Sequence, residues 1–151
     1  MRRLVVSLAM VALLGGAAVA AGGISCAVED DGVVLSLEGG VTYGMGGALF
    51  NFAGQAGLRS EKITGDLRAS SFGREHVAQY WFDDRELKLR LYREREGDAP
   101  HGYVEIVLET IADRDGSYRG DYAVTVYDMT EAANGEAATE EISGAIACSG
   151  E

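Results

Sequence analysis

Residues 86–92 read Glu-Leu-Lys-Leu-Arg-Leu-Tyr, with a leucine at every second position and a polar or aromatic side chain between. This alternation has the period of a β-strand with one buried face, because successive side chains of a strand point to opposite sides. The apolar and aromatic run from Val77 to Phe82 precedes it, and Asp83-Asp84 forms a short polar connection. Together the two segments predict an antiparallel hairpin.

The same period of two continues towards the end of the chain. Apolar and polar side chains alternate over residues 103–111 and 118–127, and the last segment places Ile142, Ile146 and Cys148 on one face. The chain holds 21 glycines and one proline, which is typical of many tight turns. We therefore expect an all-β domain of about eight antiparallel strands in an up-and-down barrel, with a β-sandwich as the alternative.

The segments nearer the start of the chain are less regular, since seven glycines fall between residues 39 and 57. We expect a glycine-rich loop over 39–47, a strand over 48–53 and a further strand over 62–69.

The chain has two cysteines, Cys26 and Cys148, near its opposite ends. In an oxidising compartment two such residues most simply form one disulfide. Cys26 shares a strand face with Ile24, as Cys148 does with Ile146, so both thiols are expected on the buried side. An even number of antiparallel strands would also bring the first strand beside the last. Lipid attachment at Cys26 is the alternative, but it would leave Cys148 unpaired, and Gly23 stands where a leucine is usual.

The first 20 residues have the three parts of a secretory signal peptide. Met1-Arg2-Arg3 is basic, an uncharged apolar run follows, and Ala18-Val19-Ala20 is a small-residue cleavage site. This pattern predicts a signal helix removed after residue 20, a single mature domain over 21–151, and a periplasmic or secreted bacterial protein without a transmembrane segment after cleavage. The alternative is an uncleaved anchor, because residues 4–24 carry no charge.

Acidic residues outnumber basic ones by 24 to 13, and the formal net charge is −11. Such a charge argues against binding the backbone of a nucleic acid and against a polybasic membrane patch. Residues 4–58 and 120–151 hold acids but no lysine or arginine. If the two ends of the chain are neighbours, they form an acidic side that suits a cationic protein partner.

The candidate binding residues lie in the predicted hairpin. Tyr80 and Phe82 should point to one side and Trp81 to the other, so that they either fill the core or line a ligand mouth or partner interface. Lys88 and Arg90 belong to a basic stripe, which is either a solvated edge or a docking surface for an anionic partner.

Catalytic and metal-binding patterns are weak. His76 and His101 are the two histidines, and no spacing brings them together with carboxylates, so a hydrolase is the third hypothesis. Residues 113–116 predict a hairpin turn; the alternative is a weak calcium site formed by Asp113, Asp115 and Asp121. We expect no cofactor and no metal. The function expected is a non-catalytic envelope binding module, with a small-ligand carrier as the alternative.

Overall fold

A computed structural model describes residues 21–42, 48–130 and 136–150. Its strands and its single helix have the following bounds: β1 Ala21–Glu29, β2 Val33–Thr42, β3 Leu49–Leu58, α1 Gly65–Arg68, β4 Ala69–Phe72, β5 Val77–Phe82, β6 Glu86–Glu94, β7 Gly102–Ala112, β8 Ser117–Asp128 and β9 Ala138–Gly150. A 3₁₀ turn, Arg74–His76, separates β4 from β5. The predicted signal peptide lies outside the described residues, as do residues 43–47 of the predicted glycine-rich loop. The loop prediction was wrong for residues 39–42, which belong to β2.

The nine strands form one antiparallel sheet in the order β4-β3-β2-β1-β9-β8-β7-β6-β5. Strand neighbours are thus neighbours in sequence, except where β1 pairs with β9 and so joins the two ends of the chain. The sheet curls into a nearly closed barrel, as the sequence predicts, rather than into two stacked sheets. The remaining opening lies between β4 and β5, the two edge strands.

The strand number is nine, so the expected eight was wrong, and the directions of the strands explain the difference. Because all paired neighbours are antiparallel, β4 and β5 run the same way along the barrel. Together they take the place of one strand of an eight-stranded barrel, interrupted in the middle: β4 pairs with β3, and β5 pairs with β6. At the break the backbone N–H of Gly73 donates to Nδ1 of His76, which stabilises the turn between the halves.

The inward face of the strands carries the core that the alternation predicts. Leu87, Leu89 and Leu91 are buried, and β7 and β8 bring equally buried side chains beside them. The largest side chains that are fully enclosed are Tyr122, Leu35, Leu37, Ile63, Leu87, Leu91, Ile106 and Leu108. Apolar side chains from every strand but β5 are buried in this one cluster, and those of β5 pack against it. Burial of this apolar surface is the main force that holds the sheet in its curled shape.

The prediction of a strand over 62–69 was wrong, because residues 65–68 form the short helix α1. Ile63 and Leu67 are both buried, and their spacing of four residues fits a helical turn as well as a strand face. The backbone N–H of Arg68 donates to the carbonyl of Thr64, which closes the turn. With their side chains buried, these residues cover one end of the barrel, which we call the plugged end.

The buried side chain of Arg95 binds one carboxylate of α1 and one of β8, and so connects the helix to the barrel. The guanidinium of Arg95 lies 3.0 Å from Oδ1 of Asp128 and 2.5 Å from Oδ2 of Asp66, and the Asp128 side chain is fully buried. The N–H and hydroxyl of Thr64 donate to Oδ2 of Asp128 at 2.9 and 2.6 Å. Burial raises the pKa of Asp128, but hydrogen bonds from Thr64 and Thr130 outweigh it and hold that pKa well below its usual range.

The predicted disulfide between Cys26 and Cys148 is confirmed. The two residues lie directly opposite each other in the β1–β9 ladder, and both are buried. Such a bond is typical of proteins that fold in an oxidising compartment outside the cytoplasm. In the described part of the chain no helix is long and apolar enough to span a membrane.

Candidate binding surfaces

Aromatic side chains form a continuous row on the outer wall near the plugged end. The rings of Tyr103 and Tyr127 are stacked, with centroids 5.7 Å apart and an interplanar angle of 18°. Tyr92 lies 5.3 Å from Tyr103 on one side, and His101 lies within 6.1 Å of both stacked rings. We call these four residues the aromatic ladder.

The register of the sheet explains why these rings meet. Tyr103 and Tyr127 are direct cross-strand partners on β7 and β8. Tyr92 lies opposite Glu105, two residues from Tyr103, so its ring is diagonal to that of Tyr103. The Tyr92 hydroxyl donates to Oε1 of Glu94 at 2.8 Å. Burial, together with this hydrogen bond to a carboxylate, raises the pKa of Tyr92 to about 12.

Carboxylates surround the aromatic ladder. In the register of the sheet, Glu105 is opposite Tyr92 and Glu94 is opposite Tyr103. Glu141 on β9 is diagonal to Tyr127. With the two acids of the β6–β7 turn they form what we call the acidic margin: Glu94, Glu96, Asp98, Glu105 and Glu141. In the part of the chain that the structure describes, one of the five has an ion-pair partner, since Arg90 lies 2.6 Å from Glu105.

Acids from the two ends of the chain reach the same end of the barrel. The β1–β2 turn carries Asp30 and Asp31, and it packs beside β9, where a side chain at Gly32 would contact Ile142. Asp30 accepts hydrogen bonds from the Tyr122 hydroxyl and from two backbone N–H groups. The Tyr122 bond is the main reason that the pKa of Asp30 lies below its usual range.

Three further acids of the chain ends do not add to this exposed acidic side. Asp128 is buried against Arg95, and Glu38 and Asp121 lie towards the opposite end of the barrel.

A second surface is an open depression of about 590 Å³ on the wall formed by β5, β6 and β7. Four of the five candidate residues from the hairpin line it: Tyr80, Trp81, Lys88 and Arg90. The fifth, Phe82, packs against the core and lies 5.5 Å from the ring of Tyr118. The alternation of the aromatic triplet is as predicted, since Trp81 is exposed and both its neighbours are partly buried.

The aromatic side chains of this depression are held in place by polar contacts. Trp81 is 57% exposed, and its Nε1–H donates to Asp83. The hydroxyl oxygen of Tyr80 accepts from the backbone N–H of Leu49 at 3.3 Å, across the opening between the edge strands. The guanidinium of Arg74 lies 5.6 Å from the centre of the Tyr80 ring, within cation–π range.

The two histidines occupy different settings. His76 accepts a hydrogen bond within the 3₁₀ turn and packs edge-on against Phe72, whereas His101 belongs to the aromatic ladder. Within the described ranges no hydrogen bond joins them.

The predicted turn at 113–116 is confirmed, with Gly116 at a positive φ of 84° and its N–H donating to the carbonyl of Asp113. The carboxylate of Asp113 binds Arg119, and that of Asp115 accepts from Ser117. Residues 21–42, 48–130 and 136–150 contain no group of three or more potential metal ligands placed to hold an ion.

The aromatic ladder was not anticipated from the sequence. The sequence nevertheless indicates it. Tyr92, Tyr103 and Tyr127 occupy outward positions of three strands with alternating apolar and polar residues, where charged side chains are more usual. Arg74 was also missed, because only the folded chain brings the turn that carries it beside Tyr80.

Comparison with known proteins does not assign this protein to a class. No family model matches the sequence, and no curated protein or solved structure matches the chain. The fold defines a disulfide-linked, nearly closed antiparallel barrel whose strands bury one cluster of apolar side chains. The depression around Trp81 and a second one of about 620 Å³, which Gly23, Gly39 and Asn51 help to line, are both open to solvent.

Proposed function

We propose that the protein is a non-catalytic binding module of the bacterial envelope, exported to the periplasm or beyond. It docks a cationic protein, such as a lysozyme-like hydrolase, onto the outer wall near its plugged end. The signal-peptide pattern of residues 1–20 supports export, and the disulfide between Cys26 and Cys148 is compatible with it.

One observation carries the proposal: four aromatic rings lie within a margin of five acids, of which one is neutralised by an ion pair in the described part of the chain. Aromatic side chains are enriched among the residues that contribute most to binding free energy at protein interfaces. Surrounding carboxylates raise the rate of encounter with a cationic surface through long-range attraction. Arginine and lysine of such a partner can also bind tyrosine rings by cation–π contacts.

The charge part of the proposal is tested with hen lysozyme as a cationic probe and an acidic protein of similar size as a negative control. We expect the double variant Glu94→Gln/Glu141→Gln to bind lysozyme roughly 3- to 10-fold more weakly, because rim charges contribute about 0.2–1 kcal/mol each. Glu38→Gln/Asp121→Asn is the matched control, since it also removes two negative charges, from exposed sites away from the aromatic ladder. Binding should weaken as salt rises, because the Debye length falls to about 8 Å at 0.15 M.

The aromatic part is tested with Tyr127→Ser, which removes one ring from the stack. A loss of tenfold or more in affinity is expected, since buried aromatic anchors often contribute over about 1.4 kcal/mol. Thermal unfolding of the free variant checks that the barrel is retained. Two results would overturn the proposal: equal affinity for the acidic and the cationic protein, or an affinity for lysozyme that changes neither with salt nor with these substitutions.

A further inference from the structure

We propose that the depression around Trp81 is a second binding site and that its ligand is an anionic polysaccharide. This site does not include the aromatic ladder, although Arg90 is also the ion-pair partner of Glu105 in the acidic margin, and the proposal goes beyond the function proposed above. It lies on the part of the barrel wall formed by β5, β6 and β7, near the opening between the edge strands.

The charge of the depression differs from that of the whole chain. Its lining includes three cations, Arg74, Lys88 and Arg90, and one acid, Glu109, although the protein has a net charge of −11. Within the lining, cations thus outnumber acids, which favours a ligand that carries carboxylate or sulfate groups; Asp83, Glu86 and Glu105 lie just outside it.

Existing ion pairs leave these cations able to bind a ligand. Lys88 lies 3.2 Å from Glu86, and Arg90 lies 2.6 Å from Glu105; both acids are outside the lining. About half of each basic side chain is exposed. An exposed pair such as Lys88–Glu86 contributes only about 0–1 kcal/mol, so an anionic group can replace the protein carboxylate there at little loss; at Arg90 the outer part of the guanidinium remains accessible. In the described ranges Arg74 has no ion-pair partner and is exposed; its Nε–H donates to the carbonyl oxygen of Leu49, which leaves the rest of the guanidinium for a ligand.

The indole of Trp81 favours a sugar over an acidic peptide or a membrane surface. It offers a flat apolar surface, and the hydrogen bond to Asp83 restrains it. Sugar rings bind such surfaces through their C–H faces, while their hydroxyl groups require hydrogen-bonding groups at the side, here the amide of Gln79. Because the indole lines a depression in the barrel wall, it suits a ligand chain that enters the depression better than a planar bilayer.

The register places these groups at distances that a short oligosaccharide can span. Trp81 lies directly opposite Lys88, and Gln79 lies directly opposite Arg90, so each cross-strand pair has Cβ atoms about 5 Å apart. The two pairs are adjacent on the outer face of the same hairpin. One sugar unit on the indole therefore leaves the neighbouring acidic units within reach of Lys88 and Arg90.

Trp81 is the single tryptophan of the chain, so its fluorescence reports directly on the site. We expect a saturable change in emission when the oxidised protein, produced without residues 1–20, is titrated with oligogalacturonate. A neutral maltooligosaccharide of equal length should bind with an affinity at least tenfold lower. The double variant Lys88→Gln/Arg90→Gln should also bind oligogalacturonate at least tenfold more weakly.

The matched control is Lys62→Gln/Arg114→Gln, which removes two exposed cations outside the depression and should bind as the parent does. Calorimetry with Trp81→Leu tests the contribution of the indole, and it should show a loss of similar size.

Three results would overturn the proposal. They are no response to oligogalacturonate, equal losses in both double variants, and affinity for polyglutamate or anionic vesicles that matches or exceeds that for the oligosaccharide. None of them bears on the aromatic ladder.

Discussion

Removing the disulfide tests how the two halves of the barrel are held together. Strands β1–β4 form one half of the sheet and β5–β9 the other. On one side the halves meet through four residue pairs of the β1–β9 ladder, at the disulfide itself; on the other they are joined by the chain between β4 and β5. The perturbation is Cys26→Ala/Cys148→Ala. Alanine is chosen because both positions are buried and a serine hydroxyl would lack a partner there.

The magnitude follows from the length of chain that the bond encloses. Cys26 and Cys148 are 122 residues apart, and closing a loop of that length lowers the entropy of the unfolded chain by the equivalent of about 5 kcal/mol. A domain of this size has a free energy of unfolding of about 5–15 kcal/mol, so the variant should lose a third or more of its stability.

The assay is guanidinium unfolding followed by circular dichroism, for the oxidised parent, the double variant and the parent with a reductant. With an m-value of about 4 kcal/mol/M, the midpoint should fall by about 1.2 M in the variant, and the reduced parent should agree with it. A loss below about 1 kcal/mol with unchanged m-value would contradict this prediction, because it would mean that the bond barely restricts the unfolded chain.

Three further outcomes are expected from the described contacts. Asp128→Asn should lower the free energy of unfolding by about 3 kcal/mol in urea unfolding, because it leaves the buried Arg95 with one carboxylate fewer. Since the pKa of Asp128 is lower in the folded than in the unfolded protein, the stabilisation from its charge is complete above about pH 4 and declines as pH falls further. Between pH 7 and pH 2.5 the parent should therefore lose more free energy of unfolding than the Asp128→Asn variant. Gly120→Ala should destabilise by about 3 kcal/mol or prevent folding, because its Cβ would lie 2.0 Å from the carbonyl oxygen of Glu109; Gly57→Ala, with its nearest neighbour at 4.0 Å, should change the thermal midpoint little.

Much of the fold follows from local pattern. The alternation of residues 86–92 predicts a strand with one buried face, because side-chain direction in a strand depends only on position parity. The same parity places Cys26 and Cys148 on buried faces, and their pairing then requires that the first and last strands be neighbours. These properties depend on residues close in sequence or on one covalent bond, so they can be read without coordinates.

Other features depend on which segments meet in space. Ile63 and Leu67 fit both a strand face and a helical turn, and packing at the plugged end selects the helix. The break between β4 and β5, which makes nine strands out of eight passages, arises because one half pairs with β3 and the other with β6.

Both candidate surfaces are likewise products of register. Tyr103 and Tyr127 are 24 positions apart in the chain, yet the β7–β8 register stacks their rings. Trp81 and Lys88 line one depression because a hairpin places them opposite each other, while Arg74 joins them from a separate turn. Local pattern thus specifies which face each side chain occupies. Only the tertiary structure decides which faces adjoin, because the free energy of pairing and burial depends on all strands together.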